Sequence, residues 1–448
     1  MSEGKQELPR VLSLRDATML VVSSVIGVGI FLTPGGVAKH FPTTLTFFSA
    51  WLIGGLLALA GALANAELGA MFPKAGGNYV YLRAAYHPMA GFLVGWLSFF
   101  GIFAGTVATL AVGFTISLST FFVLTPAAKI AVAVTVIWIA SIVNAYATKA
   151  GARLNTGTAY LKVGAMIVLV LLGPILGHAR TAADPFTTDA TAELSSFGVG
   201  LQPVLFSYLG WNASVFVAGE IATPERNLPR SLFWGLGICT TIYVLVTGTY
   251  VYAMGMKNLP GMPVVGIQAG GVLFGQKGGA VMAVIMMGSI FGTVNANVLV
   301  GPRIAYAMAS DGLFFKRAAQ LNSTGTPHIA VLVQAAVATL LVAAFKANSE
   351  SLDEVLRYTT FAITLATIAD TIALYVLRVR QPDRPRPYRA AGYPVVPLLY
   401  ILANLAIAGS TLKDKPRECM ASLGVLLAGA PVYLLFRLRG KATQQEQQ

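Results

Sequence analysis

The sequence predicts an all-α integral membrane protein of twelve transmembrane helices, and three observations carry that prediction. Of 448 residues, 56% are hydrophobic and only 11% charged, with a mean hydropathy of +0.70, whereas soluble domains carry roughly 25% charged residues. Apolar stretches recur along the whole chain, most of them meeting the roughly 20 residues needed to cross a hydrocarbon core. Two of the stretches are interrupted in mid-span, at Ile26-Gly27-Val28-Gly29-Ile30-Phe31 and at Phe206-Ser207-Tyr208-Leu209-Gly210-Trp211. No room is left for a sizeable soluble domain.

In chain order, a short charged segment, 1–17, runs into the first span at 18–38. It has no small-residue cleavage site and reads as mature protein, not a signal peptide. Spans then fall at 43–69, 90–122, 129–147 and 155–177, and a polar stretch precedes the interrupted sixth span at 198–221. The later spans lie at 231–256, 277–308, 328–346, 355–377, 394–412 and 419–436, before a polar tail at 438–448. With an even number of spans and a cytoplasmic N-terminus, the larger share of the 31 Lys and Arg residues falls on the cytoplasmic side, as the positive-inside rule requires. The chain is therefore expected in the cell membrane with both termini cytoplasmic. The run from Arg378 to Arg389 reads as a topogenic cytoplasmic loop or an anionic-lipid contact.

The net charge of +13 follows this topology and does not indicate nucleic acid. Cys239 lies in the seventh span and Cys419 at the start of the twelfth, so neither a disulfide nor a metal site is expected. The four histidines, His40, His87, His178 and His328, sit at span ends or in loops without companion ligands. No phosphate-binding loop, dinucleotide fingerprint or nucleophile elbow is present. No catalytic residue, metal or cofactor is predicted, and an enzyme is not expected.

The two interrupted spans carry the functional signal. Glycine in mid-span weakens the helix and frees backbone groups that lipid cannot satisfy. Paired breaks in corresponding positions of two halves mark the substrate site of secondary transporters. A half-helix starting after Gly27 presents the N–H groups of Val28, Gly29 and Ile30 with the positive end of its dipole, a site suited to a carboxylate. The half-helix before it ends in free carbonyls, which suit an ammonium group. Together they read both charges of a zwitterion, although Gly-x-Gly also serves as a close helix-packing face.

Several patches, in order along the first 400 residues, resemble the amino acid-polyamine-organocation transporter superfamily, and within it the bacterial relatives of the L-type amino acid transporters. They are Val25 to Phe31, Ala66-Glu67-Leu68 through Phe72 to Tyr81, Phe206 to Glu220, Pro224 to Arg230, Arg303 to Gly312, and Arg384 to Arg389. The resemblance implies two inverted repeats of five spans, 18–177 and 198–377, with two further helices at 393–437. It also implies a substrate site built from Val25, Ile26, Gly27, Val28, Gly29, Phe206, Ser207, Leu209 and Asn295. The carboxylate would meet the N–H groups of Val28 and Gly29, and the ammonium the carbonyls of Val25, Phe206 and Leu209. Many relatives have glycine where Leu209 stands, so unwinding is expected at Gly210 or Ser207.

Phe206 matches the family's gating aromatic, whereas Trp211 reads equally as a core or interface aromatic. Asn295 matches a polar position near the site and could equally join helices by hydrogen bonding. Lys162, inside the fifth span, costs at least ~2.5 kcal/mol if ionised and demands a partner. It matches a family lysine that occupies the space of a sodium site in sodium-driven relatives, a coupling role. Asp370, in the tenth span, could make a structural hydrogen bond, pair with a base or relay protons. Glu67 and Glu220, near cytoplasmic span ends, read as structural.

The expected function is therefore sodium-independent transport of neutral L-amino acids by alternating access, as exchange or secondary active transport. A cationic amino acid or polyamine carrier would need Asp370 in the pocket, and a channel or sensor would share the same hydropathy. The expected partners are an amino acid substrate and the bilayer. In the animal L-type family that the chain resembles, a cysteine between spans three and four joins an accessory glycoprotein; residues Phe122 to Lys129 hold no cysteine, so the resemblance implies no disulfide-linked accessory subunit.

Overall fold

A computed structural model describes residues 8–146, 148–177, 197–344, 349–414 and 416–445; His178 and the tail end lie outside them. The described chain is helical nearly throughout. Ten of its helical segments are long and apolar enough to cross a membrane. The apolar helix α15 (His328–Ala344) is shorter, and the second interrupted stretch divides into α10 (Phe197–Tyr208) and α11 (Ala213–Phe216).

Local chemistry sets where the first helices begin. Ser13 caps α1 (Leu14–Val25) through a capping box with Asp16, satisfying two N–H groups that the helix itself cannot. Helix α1 stops at Ile26, and α2 (Gly29–Leu32) continues through Thr33, which keeps helical dihedrals, into α3 (Pro34–His40). Thr43 and Thr46 form the equivalent box ahead of α4 (Thr44–Met71). After α5 (Asn78–Ala85), the third span is α6 (Pro88–Trp96), a seven-residue π-helical segment (Leu97–Phe103) and α7 (Ala104–Leu118). A π segment inside a span is a frequent mark of a functional region.

Then come α8 (Pro126–Tyr146), α9 (Thr148–Leu176), and, beyond α11, α12 (Pro224–Met254). Helix α13 (Val265–Val300) is kinked at Phe274 and Gly275, so a short arm precedes the span expected from 277, and α14 (Pro302–Ser310) continues it. The remaining long helices are α16 (Ser349–Arg380), α17 (Val395–Asp414) and α18 (Pro416–Gln445).

Burial orders these helices from centre to perimeter. The first span is 83% buried and the third 78%, against 33% for α17 and 22% for α18. The outer helices carry exposed leucines such as Leu398, Leu402, Leu405, Leu427 and Leu435, a surface that only hydrocarbon solvates favourably. Helix α1 packs against α9, α12 and α13, while α10 lies against α3 and α4. The first break therefore lies in the centre of the bundle.

Ion pairs fasten one end of it. Arg303 makes a two-pronged pair with Glu220, at 2.7 and 3.0 Å, with both side chains fully buried. Glu67 accepts from Arg378 at 3.0 and 2.6 Å and from the Ala390 N–H at 2.6 Å. Arg386 adds a longer contact to Glu67 at 3.4 Å. Both glutamates are thus structural, as their positions suggested. Arg83 pairs with Asp311, which also accepts from the Tyr79 hydroxyl at 2.9 Å; burial and the carboxylate push that hydroxyl's pKa upward. Breaking the fully buried Arg303–Glu220 pair by removing one partner costs about 3–5 kcal/mol.

Candidate functional site

The two breaks face each other across a central cavity. At the first, the Gly27 N–H turns back to the Val25 carbonyl at 2.8 Å. The N–H groups of Val28, Gly29 and Ile30 meet no acceptor among the described residues. At the second, Gly210 takes φ +93°, a conformation that favours glycine, while Ser207 remains within α10. A Cβ on Gly210 would stand 2.8 Å from the Ser24 carbonyl oxygen, so the backbones touch. Tyr243 Oη lies 2.8 Å from the Val25 carbonyl and 2.7 Å from that of Ser207, bridging the two ends.

Val25, Gly27, Val28, Gly29, Phe206, Ser207, Leu209 and Trp211 all line this cavity. Ile26 and Asn295 do not. The Ile26 side chain is fully buried, and its carbonyl accepts from Lys162 Nζ at 2.7 Å. Asn295 accepts from Asn144 Nδ2 at 2.7 Å and donates to the Gly151 carbonyl at 3.1 Å. It joins α13 to α8 and α9, the second of its two readings. Its neighbour Asn297 lines the cavity instead.

Lys162, only 2% exposed, closes the end of α1. Its Nζ reaches the Ser23 carbonyl at 3.0 Å and Thr293 Oγ1 at 3.1 Å as well as Ile26. A cation at the carbonyl end of a helix is favourably placed against its dipole. Of the three carbonyls assigned to an ammonium group, Val25 already has two partners and Phe206 accepts from the Leu209 N–H, whereas Leu209 accepts from no described donor. Asp370 is fully buried, does not line the cavity, and neither carboxyl oxygen has a hydrogen-bond partner among the described residues.

The sequence reading missed several lining residues. Asn78, Ser98, Thr106, Thr109, Thr359 and Thr367 all face the cavity. Thr359, Ile363, Ala366 and Thr367 stand at i, i+4, i+7 and i+8 on α16, a spacing that marks one helix face. That periodicity was the available signal. Ser24 Oγ, Asn78 Oδ1 and Thr359 Oγ1 are buried there without partners among the described residues. Among the described residues, no Asp, Glu, Lys, Arg or His lines the cavity.

The family model for amino acid permeases matches residues 12–416. The chain belongs to the amino acid permease family. This permease is 30% identical over 432 residues to the serine/threonine exchanger SteT of Bacillus subtilis, covering 95% of this chain and 96% of that one. It is 27% identical over 449 residues to the human large neutral amino acids transporter small subunit 2, covering 96% and 81%. It is 24% identical over 442 residues to the human cystine/glutamate transporter, covering 97% and 86%. The permease is accordingly a multi-pass membrane transporter and not an enzyme.

Proposed function

We propose that this permease exchanges neutral L-amino acids by alternating access, independently of sodium, with the zwitterion held between the two breaks. The observation that carries this reading is the set of N–H groups at Val28, Gly29 and Ile30 that are unpartnered among the described residues, at the start of a helical run whose Val28 and Gly29 line a cavity with no ionisable lining among the described residues. These groups suit the carboxylate, and the Leu209 carbonyl suits the ammonium. The relatives named as exchangers and neutral amino acid transporters support the same substrate class. A cationic substrate fits less well, because Asp370 lies outside the lining.

Lys162 supports sodium independence: its ammonium sits among Ser23 O, Ile26 O and Thr293 Oγ1, an oxygen cage that a small cation would otherwise fill. Phe206 is the gate, a partly buried aromatic that lines the cavity beside the second break. Counting α10 with α11 and α15 beside the ten long segments gives twelve spans, with 18–177 and 198–377 as inverted repeats and 393–437 appended. Segments 1–17 and 438–448 are cytoplasmic, and the protein resides in the cell membrane.

Counterflow of radiolabelled amino acids in proteoliposomes tests the proposal. Saturable counterflow of neutral amino acids, lost when the substrate carboxylate is amidated, is expected. Equal uptake of the amide would remove the carboxylate site, and non-saturable flux would indicate a channel.

A further inference from the structure

A groove at the basic end of the bundle lies outside the central site and is formed by α4, the first turns of α12 and the loop at Pro387 and Tyr388. Helix α4 supplies Leu59, Ala62, Leu63 and Ala66, at i, i+3, i+4 and i+7 and therefore on one face. The same face continues along α4 through Leu56 and Leu52, which are 64% and 46% exposed. An apolar stripe thus runs out of the groove into the region where the bilayer core would lie.

The opposite wall has a different character. Arg226, Arg230 and Trp234 follow one another at four-residue intervals on α12, one above the next. Trp234 is 57% exposed and packs edge-on against Phe233 at 5.6 Å. Tryptophan concentrates at the level of the lipid headgroups, and the two arginines lie ~6 and ~12 Å beyond it along the helix. Both are exposed and make no hydrogen bond or ion pair among the described residues. Arg303, Arg378, Arg384 and Arg386, at the same end, are all engaged within the protein. Glu225 also lines the groove, so its lining carries one net positive charge.

We propose that this groove holds one anionic phospholipid, its phosphate between Arg226 and Arg230 and one acyl chain along the leucine stripe of α4. A guanidinium matches phosphate bidentately, and a single phosphodiester charge balances the groove. Apolar floor and charged rim meet at the depth where a phospholipid changes from chain to headgroup. A topogenic arginine needs only to face the cytoplasm, whereas these two also border an apolar groove.

Native mass spectrometry of the delipidated full-length protein tests this directly and does not depend on transport. With phosphatidylglycerol and phosphatidylcholine of identical chains added separately, preferential retention of one phosphatidylglycerol is expected. The double variant Arg226→Ala/Arg230→Ala, which disturbs no internal bond, should lose that preference, and Glu225→Gln should strengthen it. Equal retention of the two lipids by the wild type, or an unchanged preference in the double variant, would overturn the proposal. Displacement of the lipid by equimolar inorganic phosphate would also overturn it, leaving a phosphate site without a lipid.

Discussion

Gly29, in the first break, lies directly against Ser207 of α10: a Cβ at Gly29 would stand 2.8 Å from Ser207 Cα and 2.7 Å from its Oγ. The same glycine carries one of the unpartnered N–H groups, so it has both a packing and a binding reason to lack a side chain. Gly29→Val is expected to lose substrate binding and also to lower stability by about 1–3 kcal/mol, the usual cost of overpacking. Ligand binding and thermal unfolding of the purified variant separate the two effects. Retained affinity would mean that the carboxylate binds elsewhere.

Lys162→Ala should slow exchange at least ~10-fold, about 1.4 kcal/mol in the barrier, while equilibrium binding changes little. The ammonium holds the end of α1 to α13 and does not line the cavity. Flux and binding are measured on the same preparation. Stimulation of the wild type by a sodium gradient would end the idea that Lys162 replaces sodium.

Asn295→Ala should act on stability and leave substrate affinity intact. The change strips Asn144 and the Gly151 carbonyl of a buried partner, which costs about 1–3 kcal/mol. A loss of affinity at unchanged melting temperature would return Asn295 to the substrate site.

Glu220→Gln should destabilise by about 3–5 kcal/mol because it leaves Arg303 charged and unpaired in the interior. Replacing both residues by apolar ones of similar volume should recover much of the loss. Denaturation of the single and double variants completes the cycle. Equal losses in both would show that packing, not the uncompensated charge, sets the cost.

Orientation has its own test. Arg384→Cys in the intact cell should resist impermeant thiol reagents added outside, because the basic loop is expected in the cytoplasm. Ready labelling would invert the topology.

Hydropathy and glycine placement are local properties, and they made the membrane class, most span positions and both breaks legible in the chain alone. A window of side chains decides whether a segment prefers lipid, and a glycine weakens a helix wherever it stands. Glu67 and Glu220 could be read as structural from their depth, yet their arginine partners lie far along the chain and were not predictable. The cavity lining depended on packing as well. Asn295 and Asn297 are two residues apart, about 200° around a helix, and composition treats them alike. Only the seating of α13 against α8 and α9 turns one into the helix contact and the other toward the cavity. Asp370 is the same case on α16: the sequence supplied a charge in a span, but the neighbouring helices decided that it would be buried away from the pocket. A helix face acquires its role from what packs against it, and that information is absent from the order of the residues until the helices meet.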